Sequence, residues 1–203
     1  MFHVKHANTF DSALSSACER LGVQLTSEQR EAMLAHWRLV QQWQQRVNLT
    51  ALETDVDAAF FHYADSLAAL PHLRPGAVLD IGSGAGFPGI PIAIADPSRR
   101  VVLLEPRRKR ATFLEVCAAR LGLKNVAVRH GASTDAPTES FANVLTRATF
   151  SDPAELESCR AWVAKGGMLV AYRSSPLDGI RSVSYALGSE TRFLVEWIVE
   201  DPR

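Results

Sequence analysis

The segment VLDIGSGAGFPG, residues 78–89, constrains this chain more than any other. An apolar run ends in Asp80 and opens into a stretch with glycine at 82, 84, 86 and 89. So few side chains directly after a strand candidate imply a backbone that comes close to a ligand. The spacing excludes two common ligands of such loops. A dinucleotide fingerprint counted from Gly82 requires glycine where Phe87 stands, and counted from Gly84 it lacks a preceding strand in register. A P-loop requires Gly-Lys-Ser or Gly-Lys-Thr, and the chain has neither.

The rest of the chain places this loop in a fold. From Ala77 onward, short apolar runs alternate with helical stretches: AVLDI, RVVLLE, NVAVR, ANVLTRA and GMLVAY, then RSVSYAL and RFLVEWIVE. The first four read as parallel strands covered on both faces, with crossovers long enough for helices such as residues 107–121. Gly188, Ser189 and Glu190 join the last two in an antiparallel hairpin. The expectation is an α/β fold, a Rossmann-like doubly wound sheet, mostly parallel, with its ligand at the carboxyl ends of the strands.

Residues 1–74 follow a helical period instead. Leu14, Cys18 and Leu21 mark a helix over 9–21 that Gly22 stops. Thr26 with Gln29 forms a capping box for a second helix, whose stripe is Met33, Trp37, Val40 and Val47, with the intervening Gln and Arg facing water. A third helix spans about 56–70 and ends before Pro71. The division is thus a helical cap, 1–74, on a ligand-binding domain, 75–203.

A hydrophobic content of 47% supports one sizeable core. With Lys and Arg together at 22 and Asp and Glu also at 22, net charge is zero, so any nucleic-acid binding needs a local patch. One exists: Arg99, Arg100, Arg107, Arg108, Lys109, Arg110, Arg120, Lys124 and Arg129 share their stretch with only Glu105 and Glu115. Cys18, Cys117 and Cys159 are odd in number and far apart, which reads as reduced core thiols, with no disulfide framework or metal site. No run reaches the roughly 20 apolar residues of a membrane span, and the amino terminus lacks a signal-peptide core. A cytoplasmic protein is expected.

The pattern apolar-apolar-Asp-apolar-Gly-x-Gly-x-Gly resembles the first motif of class I S-adenosylmethionine-dependent methyltransferases. The resemblance places the cofactor on Asp80, Gly82, Ser83, Gly84, Gly86 and Phe87, with Asp80 organising the loop and meeting the cationic end directly or through water. Glu105, about 20 residues past the loop, supplies the carboxylate for the ribose hydroxyls, and Ala132 and Arg147 complete the pocket. More specific is the set NLTAL (48–52), HYADSL (62–67), GSGAGFPGIPIAI (82–94), KRATFL (109–114), LGLKNVAVRHG and LTRA (145–148). Together these are similar to the RsmG family, also called glucose-inhibited division protein B, over about residues 37–150. That resemblance implies methyl transfer to N7 of a guanine in the 530 loop of 16S rRNA, with 16S rRNA or the small ribosomal subunit as partner; a monomer is the simplest expectation for an enzyme that must embrace a much larger RNA. Arg147, His62 and Asp65 would position the base, without a general base because N7 already carries a lone pair. Asn48, Ser66, Lys109, Arg110 and Arg173 would meet the RNA. The chain departs from the family at Asn143, where Asp is usual, at Tyr172-Arg173-Ser174, where Lys-Gly is common, and in the short SSPLDG segment before the hairpin. Two other readings stay open: a class I methyltransferase acting on a small molecule or a protein, and a non-catalytic ribosome-binding relative.

Overall fold

The computed structural model describes residues 2–52, 54–147 and 153–200, the side chains of 2–8 and 153–155 excepted. Ala148, the end of the fourth strand candidate, lies outside them. The chain opens with α1 (Phe2–Arg20) and α2 (Ser27–Val47), then α3 (Asp55–Ala58), a π-helical stretch (Ala59–Ala64), α4 (Asp65–Leu67) and a 3-10 turn (Leu70–His72). There follow β1 (Val78–Ile81), α5 (Gly89–Ala95), β2 (Val101–Glu105), α6 (Arg108–Arg120), β3 (Val126–His130), β4 (Phe141–Arg147), α7 (Pro153–Arg160), β5 (Val163–Arg173), β6 (Arg181–Leu187) and β7 (Glu190–Ile198).

The seven strands form one sheet in the order β3-β2-β1-β4-β5-β7-β6. The first five are parallel, and β7 runs antiparallel between β5 and β6. Strand order reverses between β1 and β4, so the loop after β1 sits at the switch point where such sheets bind ligands. Register puts Glu105 just past the Ile81–Leu104 pair and Arg147 just past the Ile81–Thr146 pair. The two strands flanking β1 therefore deliver an acid and a cation to either side of the glycine loop.

Alternating side chains divide the apolar residues between two faces. Val78, Val101, Leu103, Leu145 and Val170 join one cluster with Phe10, Leu14, Met33 and Trp37 of α1 and α2 and Phe113 of α6. Leu79, Val102, Leu104, Val144 and Leu169 join Cys159 and Trp162 on the other face. The amino-terminal helices thus share a continuous core with the sheet. All three cysteines are free and buried, and burial pushes each thiol up to about 12.

The structure refines several expectations. The capping box is present: Gln29 N–H donates to Thr26 Oγ1 at 3.3 Å and Thr26 N–H to Gln29 Oε1 at 2.9 Å. The Gln and Arg of α2 do not simply face water. Among those between the stripe residues, Arg38 grips Asp55 through both terminal nitrogens and Gln44 bonds the backbone of Leu49 and Thr50; ahead of the stripe, Gln29 Nε2 donates to the carbonyls of Ile94 and Ala95 and Arg30 pairs with Asp11. The third helix is broken into α, π and 3-10 pieces, with Pro71 inside the last of them. β3 is an edge strand, half-exposed because nothing pairs beyond it in the sheet. Asn143 is fully buried and exchanges hydrogen bonds with Arg74: the Arg74 N–H donates to its Oδ1 at 2.8 Å and its Nδ2 donates to the Arg74 carbonyl at 3.0 Å. That departure from the family pattern acts in the fold, at the start of β1 and β4 and outside the cleft at their far ends.

Candidate active site

A cleft of about 610 Å³ opens over the carboxyl ends of the strands, within the range of small-ligand sites. One wall is the glycine loop. Gly82, Gly84 and Gly86 have φ of 73°, 57° and 95°, left-handed backbone that only glycine adopts without strain. Glu105 ties this wall down: one carboxylate oxygen accepts from Gly84 N–H at 2.8 Å and the other from Arg107 N–H at 2.9 Å. Each oxygen keeps a further lone pair, and the residue lines the cleft. Two adjacent acceptors beside bare main chain fit a ligand with vicinal hydroxyls, so the residues present fit S-adenosylmethionine.

Asp80 organises the loop, as expected, from a position set back from the cleft. It is fully buried beneath the loop and does not line the cleft, so it does not meet a cationic ligand end directly. Its Oδ2 accepts from Gly89 N–H at 2.9 Å and thereby fixes the start of α5; a Cβ on Gly89 would collide with Leu103 and Asp80. Burial raises the Asp80 pKa from 3.8 to about 7, partly opposed by the Gly89 N–H. A native carboxyl that holds its proton more tightly than the unfolded chain loses stability as pH climbs from 3.8 to about 7. Asp80→Asn removes that loss. The stability of the variant relative to the wild-type protein is therefore expected to be higher at pH 8 than at pH 5, measured by denaturant unfolding at both.

The opposite wall comes from the amino-terminal helices and β4. Arg147 Nη1 donates to the Phe61 carbonyl at 2.9 Å and to Asp65 Oδ2 at 3.1 Å, and Nη2 faces His62 Nδ1 at 3.3 Å. Its guanidinium lies 5.1 Å from the centroid of Phe87, and the His62 ring stacks on Phe87 at 4.4 Å and 14°. Burial, then the Arg147 charge, lowers the His62 pKa to about 3, so the ring is neutral at working pH. Asp65, 1% exposed, also accepts from Tyr185 Oη at 2.6 Å and pairs with Arg192 Nε at 3.8 Å. The three residues named from sequence as positioning groups thus form one connected cluster.

Other expected residues fall elsewhere. Ser66 is buried, with its hydroxyl given to the His62 carbonyl, and Tyr172 Oη donates to the Ser66 carbonyl at 2.7 Å. Its geometry is that of a helix brace and is incompatible with contact to an incoming RNA. Asn48 is exposed in a left-handed C-cap conformation (φ 51°), and its carbonyl accepts from Arg110 Nη2 at 2.7 Å. Lys109 is exposed on α6 outside the cleft, and Gly86, Ala132 and Arg173 do not line it. Part of the basic patch is neutralised: Arg100 and Arg129 both bind Glu139, and Arg99 binds Asp96. Glu139 lies 10 residues from Arg129 and 39 from Arg100 in sequence, so proximity along the chain gave no warning of it.

Sequence reasoning missed three groups. His36, fully buried, faces the Ala85 carbonyl with Nε2 at 3.0 Å and accepts from Tyr63 Oη at its Nδ1 at 2.8 Å, so α2 props the glycine loop from behind. Burial lowers its pKa to about 3. Arg192 and Tyr185 reach Asp65 from the terminal hairpin, and only Arg192 lines the cleft. Gln44 carries the strap 49–52: its Oε1 accepts from Leu49 N–H at 2.6 Å and Thr50 N–H at 2.8 Å, and its Nε2 donates to the Thr50 carbonyl. For His36 the only signal was its place one residue before Trp37 on the apolar stripe.

The family model for GidB, rRNA small subunit methyltransferase G, matches residues 29–190. The chain belongs to that family. It is 33% identical over 177 residues to the ribosomal RNA small subunit methyltransferase G of Clostridium botulinum, covering 83% of this chain and 74% of that one. With the methyltransferase G of Nitrosospira multiformis, identity is 40% over 146 residues, 70% of this chain and 66% of the relative. Among solved structures, a SAM dependent methyltransferase from Aquifex aeolicus superposes with a TM-score of 0.55 at 19% identity, over 70% of this chain and 93% of that one. Coclaurine N-methyltransferase bound to N-methylheliamine and SAH gives 0.52 at 18%, over 85% and 63%. At that identity the two structures speak to the class I methyltransferase fold alone. The methyltransferase G match runs from α2 to the start of β7 and takes in every residue lining the cleft except Arg192.

Proposed function

We infer that this protein methylates rRNA of the small ribosomal subunit, using S-adenosylmethionine, at N7 of a guanine in the 530 loop of 16S rRNA. Membership of the methyltransferase G family gives the reaction class. The observation that carries the finer reading is the state of His62. Its Nδ1 faces an arginine, its Nε2 bonds Thr50 Oγ1 at 2.7 Å, and its pKa lies near 3. The ring has no spare basic nitrogen. Such a cleft suits an acceptor atom that needs no deprotonation, and guanine N7 carries its lone pair in the ring plane. The cofactor supplies a methyl group on a sulfonium. The protein's share is then positioning and electrostatics: Glu105 and the glycine loop hold the donor side, and Arg147, His62 and Asp65 hold the base side, with Phe87 between them as a stacking surface.

Four arginines line the cleft, Arg107, Arg110, Arg147 and Arg192, against Asp65 and Glu105. This local excess supports a polyanionic substrate despite zero net charge. Exposed Arg108 and Lys109 at the start of α6 extend it outward for phosphate contacts. Residues 1–74 serve as the substrate-side wall of the 75–203 cofactor-binding domain, as a monomer acting beside the ribosome in the cytoplasm without a metal. No described helix is long and apolar enough to cross a membrane, and no described His, Cys, Asp or Glu cluster would hold a metal ion.

The test is methyl transfer from labelled cofactor to small-subunit rRNA that lacks the modification, followed by chain scission specific for N7-methylguanine. A single cut in the 530 loop is expected. Label at another atom or another site, or label on protein alone, would overturn the assignment.

A further inference from the structure

Thr50 sits on the strap between α2 and α3, and its environment fixes what its hydroxyl can do. Its backbone is locked, because Gln44 accepts from its N–H and donates to its carbonyl. The strap is clamped again at Asn48, whose carbonyl accepts from Arg110. Thr50 lines the cleft together with His62, and its hydroxyl meets the His62 ring there.

The hydrogen bonds of His62 then determine the direction of those of Thr50. A guanidinium only donates, so His62 Nδ1, facing Arg147 Nη2, must be an acceptor. A neutral imidazole with an accepting Nδ1 carries its proton on Nε2, and that N–H donates to Thr50 Oγ1 at 2.7 Å. Leu52 N–H donates to the same oxygen at 3.1 Å. A hydroxyl oxygen has two lone pairs, and both are now engaged. What remains is the O–H hydrogen, and among the described residues nothing accepts it. The relay from Arg147 through His62 has turned Thr50 into a group that can donate and cannot accept.

That asymmetry is a reading device for a purine. Along the edge that carries N7, guanine offers a second acceptor, the C6 carbonyl oxygen, where adenine offers an amine donor. We propose that Thr50 selects guanine over adenine by donating its hydroxyl hydrogen to the C6 oxygen while N7 faces the methyl donor. An adenine in the same pose would bring its amine against an oxygen with no free lone pair. A site committed in this way rejects the wrong base by leaving polar groups unpaired, which discriminates more sharply than shape. The proposal rests on guanine N7 being the acceptor.

The experiment compares wild-type protein, Thr50→Val and Thr50→Ser on small-subunit RNA carrying guanine or 2,6-diaminopurine at the target position. Diaminopurine keeps N7 and the C2 amine and replaces the C6 oxygen with an amine. Wild-type protein is expected to prefer guanine by about 10- to 100-fold in kcat/KM. Thr50→Val should lose about 10- to 100-fold on guanine, with calorimetric affinity for S-adenosylhomocysteine within about twofold of wild type, and should narrow the gap between the two bases. Thr50→Ser, which keeps the hydroxyl, should recover most of the loss. An unchanged base preference in Thr50→Val, or a loss traced to cofactor affinity, would overturn the proposal while leaving the reaction intact. Should the valine variant fail to fold, equal use of both bases by wild-type protein overturns it as well. If wild-type protein methylates no RNA at all, the reaction assigned above falls and this proposal with it.

Discussion

Arg147→Ala is expected to reduce methyl transfer about 10²-fold or more, equivalent to roughly 2.7 kcal/mol of barrier, while leaving cofactor affinity nearly unchanged. The guanidinium holds the base-side wall together. It joins the Phe61 carbonyl, the Asp65 carboxylate and the His62 ring, and lies over Phe87. Its loss frees His62 to change tautomer and removes the charge that would face the RNA. The donor-side contacts of Glu105 and the glycine loop do not involve it. Breaking a buried pair often costs about 3–5 kcal/mol of stability when the partner is left wholly bare. Here the cost should be smaller, since Asp65 keeps Tyr185 Oη and Arg192. Lysine at 147 should restore little, because an ammonium cannot span the same three acceptors. Single-turnover rates with calorimetry of cofactor binding decide the matter: near-normal turnover would remove Arg147 from the reacting wall.

The second large effect is on the donor side. Glu105→Ala is expected to weaken cofactor binding about 10²-fold or more with the sheet intact. Two consequences add. The ribose loses acceptors whose charge-assisted bonds are worth about 1.5–3 kcal/mol each. Gly84 and Arg107 also lose the carboxylate that holds their N–H groups, so the loop must be ordered at the moment of binding. Calorimetry with S-adenosylhomocysteine measures the sum. Unchanged affinity would show that the cofactor does not use this carboxylate.

Much of this site was legible in the chain because its elements are local or periodic. The strand runs, the capping box of Thr26 and Gln29, and the hairpin turn each depend on residues a few positions apart, and the structure has them. Glu105 could be found from the loop because a fixed βαβ unit sets the distance between them. What escaped was pairing across the fold. The basic stretch 99–129 looked like one field, yet Glu139 quenches two of its members and Asp96 a third. Ser66 looked available to RNA beside His62, yet a turn of helix carries its hydroxyl inward to a carbonyl. Asp80 looked like a ligand contact, yet it lies under the loop and fixes Gly89. The π-helical stretch that presents His62 and Asp65 together has no signature in composition or spacing.

The sequence alone determined the order of strands and helices, the bare loop after β1 and the acid that follows it. Those features come from steric limits on the backbone and from the alternation of apolar side chains, which act between near neighbours. Only the tertiary structure decided which charges are spent on one another, which hydroxyls face inward, and which way the hydrogen bonds run from Arg147 to Thr50. Those outcomes depend on groups brought together from opposite ends of the chain, where burial raises the cost of any unpaired charge and a single guanidinium sets the direction for the whole row.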